Sequence, residues 1–262
     1  MSTIKTRTIS INHAVDGPAD APVLLLSNSL GANLEMWAPQ AEHLRDRYRV
    51  VRYDQRGHGQ TEVPPGPYSF ADLVDDAAAL AEALGVEKFH FCGLSMGGMT
   101  ALGLGLTYPE RLLSLTAANC VAGFPPEGRQ VWDDRIRAVS ASGLEPILDA
   151  TLERWFTAPT REARPAQMDA VRAMVRATPL DGYLGCCGAI KALDYLEQIA
   201  GIISPLLFIA GTHDAGTPAV AMQDMHARVA GSRYVELNAA HVSNLEVPED
   251  FNRALDDFLG SL

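Results

Sequence analysis

The chain has 262 residues, of which 47% are hydrophobic and 20% charged, a composition that predicts a globular protein and excludes intrinsic disorder. Its formal net charge of −11 makes nucleic acid and anionic membranes poor partners, because both bind basic surfaces. No apolar stretch reaches the ~18–20 residues of a membrane helix, and no apolar segment typical of a secretory signal follows Lys5 and Arg7. We therefore expect a soluble, cytoplasmic protein.

The hydrophobic pattern predicts a mostly parallel sheet with helices on both faces. The first segment, Ile4–Ala14, is typical of an antiparallel edge strand or hairpin. Strands alternating with helices of 10–15 residues indicate an α/β fold, and Phe70–Leu84, which stops at Gly85, is one such helix. Six further runs predict strands: Val23–Ser27, Tyr48–Tyr53, Phe89–Cys92, Leu112–Ala118, Leu206–Ala210 and Arg233–Leu237.

Residues 124–200 break this alternation of strands and helices. The segment lacks a run typical of a buried strand, whereas Trp132 and Ile136 recur at the i, i+4 spacing of a helix face. It carries 9 basic and 11 acidic residues, against 12 and 21 in the rest of the chain, so it is nearly neutral beside an acidic body. We predict a helical cap at 124–200, inserted into an α/β core made of 1–123 and 201–262.

The four cysteines do not predict a metal site or a disulfide framework. None forms a C-x-x-C pair and two are adjacent, which favours small buried side chains in a reducing compartment. The chain also lacks H-E-x-x-H or other metal-ligand spacing, so we expect no metal. The cysteines are Cys92, Cys120, Cys186 and Cys187.

A G-x-S-x-G motif at 93–97 carries the strongest functional signal. It follows the predicted strand Phe89–Cys92 and precedes a helical stretch that ends near Tyr108, which is the context of a nucleophile elbow. The flanking glycines are needed because a Cβ would collide where strand and helix pass so closely. Ser95 is therefore the candidate nucleophile.

A serine nucleophile needs a general base, and the base needs an acid that orients it. In a fold with this elbow, the acid and then the histidine follow the serine along the chain. His241 enters a late loop after the last predicted strand, and it fits the role of base better than His213 or His226. Asp214 follows the strand before it and is the candidate acid, with helix capping as its alternative role.

Two backbone N–H groups are the candidate donors to the oxyanion of a tetrahedral intermediate. One belongs to Met96, immediately after the nucleophile, and the other to Leu30, in the loop after the strand Val23–Ser27. Gly31 would let the chain turn away from this site.

A second glycine-rich loop, D-Q-R-G-H-G at 54–59, matches neither a phosphate-binding loop nor a set of metal ligands. We predict instead a buried pair between Asp54 and Arg56. Such a pair would fix this loop beside the one that carries Leu30.

Five segments together resemble the α/β-hydrolase superfamily, over essentially the whole chain. They are S-N-S-L-G at 27–31, D-Q-R-G-H-G at 54–59, G-L-S-M-G-G at 93–98, G-T-H-D at 211–214 and A-H-V-S-N at 240–244. More narrowly, the chain resembles the 3-oxoadipate enol-lactonases of the β-ketoadipate pathway of aromatic catabolism. That likeness rests on S-N-S-L-G in place of the commoner H-G-x-G, V-P-P-G-P-Y at 63–68, E-R-W-F-T at 153–157 and a W-x-x-R segment at 132–135. The segments A-G-T-P at 215–218 and G-C-C-G at 185–188 depart from the family pattern.

The resemblance implies a serine hydrolase that opens an unsaturated five-membered lactone bearing a carboxymethyl group. Ser95 would attack the lactone carbonyl while His241 takes its proton, and the ring oxygen would leave as an enolate. Water activated by His241 would then release 3-oxoadipate, without a metal or organic cofactor.

An anionic lactone also calls for a cation in the cap. Trp132 and Arg135, at i and i+3, would share one helix face and meet the substrate together, and Trp155 is a further candidate. The alternatives are that Trp132 belongs to the cap core, that Arg135 pairs with Asp134 or Glu127, and that Arg129 supplies the cation.

Three other functions stay open at this point. A general carboxylesterase or another lactonase would carry the same triad, as would a perhydrolase. A non-catalytic ligand receptor on the same scaffold can also retain it. The sequence leaves the oligomeric state undetermined.

Overall fold

A computed structural model describes residues 1–262, and its central element is an eight-stranded sheet. The strands lie in the order β1-β2-β4-β3-β5-β6-β7-β8, with β1–β2 and β2–β4 antiparallel and all other pairs parallel. The predicted α/β sheet and its N-terminal hairpin are therefore confirmed. In chain order the strands are β1 (Ser2–Lys5), β2 (Ser10–Asp16), β3 (Val23–Ser27), β4 (Arg49–Tyr53), β5 (Phe89–Leu94), β6 (Leu112–Ala118), β7 (Leu206–Gly211) and β8 (Arg233–Leu237).

The chain also has eleven α-helices, and none is both long and apolar enough to cross a membrane. In chain order they are α1 (Ala38–Leu44), α2 (Phe70–Ala83), α3 (Met96–Thr107), α4 (Pro126–Ser142), α5 (Leu148–Trp155), α6 (Ala158–Ala163), α7 (Pro165–Arg176), α8 (Leu180–Lys191), α9 (Ala219–Arg228), α10 (Ser243–Glu246) and α11 (Pro248–Leu259).

The central strands are buried on both faces, as their continuous apolar runs predict. Side chains alternate between the faces of a strand, so Leu25 joins the apolar cluster that contains α2 and α3. Its neighbours Leu24 and Leu26 join the opposite cluster, which contains α1 and α11. Apolar clusters therefore pack against both faces of the sheet.

Helices α4 to α8 all lie between β6 and β7, within the segment predicted to be a helical insertion. The two ends of this segment meet in an antiparallel bridge between Gly123 and Asp194. Helix α8 lies directly on the loop at 54–59, since a Cβ on Gly182 would come within 2.0 Å of the Gly57 carbonyl oxygen. The division of the chain into cap and core stays a prediction.

The predicted pair between Asp54 and Arg56 is wrong. The Asp54 carboxylate accepts hydrogen bonds from the Leu34 N–H and from Asn12 Nδ2, both at 2.7 Å. Arg56 instead donates from Nε and Nη2 to the two carboxylate oxygens of Asp76, at 2.6 and 2.9 Å. Asp76 lies 20 residues further along the chain, on α2, so only the tertiary fold brings it to this loop.

The Arg56–Asp76 pair predicts a large stability effect. Its side chains are only 8% and 2% exposed, and Arg56→Met would leave a buried carboxylate without its partner. We expect the free energy of unfolding in urea to fall by about 3–5 kcal/mol. The exposed pair between Arg137 and Asp134 is the control, and Arg137→Met should cost at most about 1 kcal/mol. Equal losses in the two variants would contradict this account.

Candidate active site

The predicted catalytic residues come from loops at one edge of the sheet. The carboxyl ends of neighbouring parallel strands open at the same edge, where ligands of α/β proteins bind. Leu30 follows β3, Ser95 follows β5, Asp214 follows β7 and His241 follows β8. The fold therefore brings together residues that are 146 positions apart in the chain, such as Ser95 and His241.

Ser95 occupies a tight turn between β5 and α3, with φ 58° and ψ −113°. Non-glycine residues rarely adopt a positive φ, and such strain concentrates at functional sites. A Cβ on Gly93 would lie 2.0 Å from the Gly97 carbonyl oxygen, and one on Gly97 would lie 2.1 Å from that of Ser27. Close backbone contact thus explains both glycines of the motif.

The three side chains of the predicted triad form a continuous hydrogen-bonded chain. Ser95 Oγ lies 2.9 Å from His241 Nε2, and His241 Nδ1 lies 2.8 Å from Asp214 Oδ2. All three residues are buried. The carboxylate favours the tautomer with the proton on Nδ1, which leaves Nε2 free to accept the proton of the serine hydroxyl.

The Asp214 carboxylate is held in its ionised form. Burial acts to raise the pKa of Asp214, but the His241 ring and hydrogen bonds from His241 and Thr217 outweigh burial and lower that pKa to about 2. Its Oδ1 accepts the N–H groups of Gly216 and Thr217, at 2.9 and 3.0 Å. Asp214 therefore also fixes its own loop. It does not cap helix α9, because the N-cap of that helix is Pro218 and no side chain caps it.

Two residues that sequence reasoning missed support the acid and histidine loops. Asn119, directly after β6, donates from Nδ2 to Asp214 at 3.1 Å and to the Ala240 carbonyl at 3.2 Å, and accepts from Ser243 Oγ at 2.6 Å. Glu246 accepts the Ala240 N–H at 2.6 Å. The position of Asn119 after a strand was the available sequence signal, but a polar residue there is too common to be decisive.

The two candidate oxyanion donors belong to buried residues, Leu30 and Met96. The Leu30 N–H donates to no protein acceptor. Met96 is the first residue of α3, so its N–H has no acceptor within the helix. Gly31 has φ 82°, which lets the chain turn away after Leu30 as the sequence predicts. Free N–H groups of this kind can stabilise a developing oxyanion.

His58 fixes the loop that carries Leu30, a role that sequence reasoning also missed. Its Nε2 accepts the Gly31 N–H at 2.9 Å, and its Nδ1 donates to the Arg56 carbonyl at 3.1 Å. Burial lowers the pKa of His58, which keeps the ring neutral and Nε2 able to accept.

A cavity of about 400 Å³ opens onto Ser95 and His241. All three predicted substrate-binding residues line it, namely Trp132, Arg135 and Trp155. Leu30 lines it too, whereas Arg129 is exposed and lies outside it.

Arg135 does not form either of the ion pairs considered for it. Its guanidinium carbon lies 5.3 Å from the centre of the Trp132 ring, and its Nη1 donates to the Tyr183 hydroxyl at 3.3 Å. Asp134 instead accepts from Arg137 and Gln130, both at 3.0 Å. The charge of Arg135 is therefore available to a ligand.

Arg154 is a second cation of this cavity that sequence reasoning missed. Burial, together with the charge of Arg135, lowers the pKa of Arg154 to about 10. It precedes Trp155 in the E-R-W-F-T segment, but nothing in that segment shows which of the two neighbours faces a cavity.

The model of the alpha/beta hydrolase fold family matches residues 22–248 of this sequence. The chain belongs to the α/β-hydrolase fold family. Among its relatives, 3-oxoadipate enol-lactonase 2 of Acinetobacter baylyi is 36% identical over 97% of this chain and 94% of its own length. The crystal structure of the enol-lactonase from Burkholderia xenovorans LB400 is 37% identical, with a TM-score of 0.95 over 99% of this chain and 100% of that one. A malate-bound thermophilic esterase from Thermogutta terrifontis is 27% identical, with a TM-score of 0.92 over 99% and 98% of the two chains.

The hydrogen-bonded chain predicts non-additive losses of activity in this α/β hydrolase. Ser95→Ala and His241→Ala should each lower kcat for p-nitrophenyl acetate by about 10⁴-fold or more, and the double variant should lose little further, because the residues act as a unit. His213→Ala, which removes the exposed histidine beside Asp214, should retain activity. Additive losses, or inactivation by His213→Ala, would reassign the base.

The contact between His58 and Gly31 predicts a loss of kcat rather than of substrate binding. His58→Ala removes the acceptor of the Gly31 N–H, and we expect kcat to fall by up to about 10²–10³-fold, the effect of losing one oxyanion donor, with KM little changed. His58→Gln, whose amide oxygen can accept the same bond, should recover part of the rate.

His90 provides the control for that experiment. It is a buried histidine on β5 with one side-chain bond, to Ser114 Oγ at 2.8 Å, and it lies outside the loops of the site. His90→Ala should lower stability without lowering kcat of the folded protein. If His58→Ala behaved in the same way, its role would be structural only.

Proposed function

We propose that the chain is a serine hydrolase that opens the lactone ring of 3-oxoadipate enol-lactone in the β-ketoadipate pathway. The observation that carries this proposal is a single cavity that contains the Ser95–His241 pair and the Arg135 guanidinium without a carboxylate partner. A lactone with a carboxymethyl group offers an acyl carbon to Ser95 and an anion to Arg135. Relatives named enol-lactonases, at 36% and 37% identity, support the same substrate.

Acylation begins when Ser95 Oγ attacks the lactone carbonyl while His241 Nε2 takes the hydroxyl proton. The carbonyl oxygen becomes an oxyanion, which the N–H groups of Leu30 and Met96 stabilise. Collapse of this intermediate breaks the ring C–O bond, and the ring oxygen leaves as an enolate that takes the proton from His241. The resulting enol tautomerises to a ketone and stays joined to Ser95 through an ester bond.

Deacylation repeats these roles with water as the nucleophile. His241 takes a proton from the water, the hydroxide adds to the ester carbonyl, and the bond to Ser95 Oγ breaks as the serine regains a proton. Asp214 stays ionised and stabilises the imidazolium in both halves of the reaction. Each step uses only these side chains, backbone donors and water.

We propose that residues 124–200 form a cap, which sets the substrate preference of the core. In this division α4 supplies Trp132 and Arg135 to the cavity, and α5 supplies Trp155. The core supplies the nucleophile, the base and the oxyanion donors. The partner that this site implies is a small anionic lactone.

A general carboxylesterase is the second candidate, and the apolar wall of the cavity favours it. That wall includes Met99, Phe124, Val131 and Ile190, which suit the acyl or alcohol part of an uncharged ester. The similar esterase from Thermogutta terrifontis, 27% identical, supports this candidate. The two functions differ in whether the Arg135 charge is used.

A direct assay of turnover distinguishes the candidates. The enol-lactone, generated in situ from muconolactone and followed by its absorbance, should be hydrolysed with kcat/KM within the range of about 10⁴–10⁸ M⁻¹s⁻¹ typical of enzymes on their own substrates. Parallel measurements with p-nitrophenyl acetate should give a much lower value. Turnover of the ester alone would support the esterase, and turnover of neither would favour a binding protein.

The proposed role of Arg135 predicts a selective defect. Arg135→Gln should lower kcat/KM for the enol-lactone by about 10–150-fold, corresponding to about 1.5–3 kcal/mol for a hydrogen bond to a charged group, and should leave p-nitrophenyl acetate unaffected. Arg135→Lys should recover only part of the loss, because it lacks the bidentate guanidinium. Arg129→Gln, on the exposed part of the same helix, is the matched control. Equal losses on both substrates would indicate a damaged cap instead.

A further inference from the structure

Two guanidinium groups, from α4 and α5, line one cavity in a chain whose net charge is −11. Neither Arg135 nor Arg154 forms an ion pair, although their neighbour Arg137 pairs with Asp134 at 3.0 Å. Arg135 has a single hydrogen bond, to a tyrosine hydroxyl, and the Arg154 side chain has none. Neither cation therefore has an ion-pair partner in the protein.

Arg154 is held against the loop that carries the triad acid. A Cβ built on Gly216 would lie 3.5 Å from Arg154 Cδ and 3.5 Å from Asp214 Oδ1, so the arginine stem and the carboxylate flank the same backbone position. Asp214 forms no ion pair with Arg154, because its oxygens accept hydrogen bonds from His241, Thr217 and Gly216, although its charge acts to raise the pKa of Arg154.

The two positive charges destabilise each other. Burial and the charge of Arg135 both lower the pKa of Arg154, to about 10. Partly desolvated like charges are costly unless an anion neutralises them, and a guanidinium binds a carboxylate best through two parallel hydrogen bonds. A bound ligand with two negative charges would neutralise both arginines at once.

We propose that Arg154 is a second carboxylate-binding residue and that, with Arg135, it makes this cavity a site for short linear dicarboxylates. The link between this site and the reaction product rests on the proposed function. The lactone substrate carries one carboxylate, and hydrolysis of its ring ester produces a second one. The two arginines therefore match the charge of the product, which should compete with the substrate for the cavity.

Direct binding measurements test this proposal without requiring turnover. Adipate and hexanoate have the same number of carbons and differ only in the second carboxylate, so their dissociation constants should be compared by isothermal titration calorimetry. The wild-type protein should bind adipate about 10-fold or more tightly than hexanoate. Arg154→Gln should abolish this preference, Arg154→Lys should retain part of it, and Arg129→Gln should retain all of it.

Equal affinity for the two acids, or an undiminished preference in Arg154→Gln, would overturn the proposal. Thermal melting shows whether each variant folds, and if Arg154→Gln does not, the wild-type ratio and Arg154→Lys still decide the question. A preference for adipate in a protein that fails to turn over the enol-lactone would support the dicarboxylate site and reject the lactonase. Turnover of the enol-lactone without a preference for adipate would support the lactonase and reject the dicarboxylate site.

Discussion

The strained backbone at Ser95 is the constraint on which the rest of the site depends. A positive φ at this residue aims its hydroxyl at His241, and the turn is possible only because Gly93 and Gly97 lack side chains where β5, α3 and the end of β3 touch. The same turn places the first N–H groups of α3 directly after Ser95, its N-cap residue. The candidate nucleophile, its contact with His241 and one candidate oxyanion donor therefore all depend on one local backbone conformation.

The charge lining the cavity is opposite in sign to the net charge of the molecule. The chain is acidic overall, yet the cavity beside Ser95 is lined by Arg135 and Arg154, neither of which forms an ion pair within the protein. A local field of this kind, inside a partly enclosed cavity, can attract an anion that the net charge would repel. These two arginines lie on helices α4 and α5, whereas Ser95, Asp214 and His241 follow strands of the sheet.

Features that depend on neighbouring residues could be predicted from the sequence, whereas features that depend on tertiary contacts could not. Continuous apolar runs predicted the buried strands, and the spacing around Ser95 predicted the turn, because both depend on neighbouring residues. The predicted partner of Arg56 was wrong because the sequence around a loop arginine does not indicate which distant helix will pack against it. The contacts of His58 and Asn119 and the position of Arg154 in the cavity were missed for the same reason, because each depends on the folded chain.

The most direct test of the central claim is to identify the residue that reacts as the nucleophile. Diethyl p-nitrophenyl phosphate reacts with serine nucleophiles that a histidine activates, and the modified residue can be located by peptide mass spectrometry. We expect one diethylphosphoryl group per chain, on the peptide that contains Ser95, with loss of activity in proportion to labelling. Labelling at another residue, or full labelling with activity retained, would contradict it.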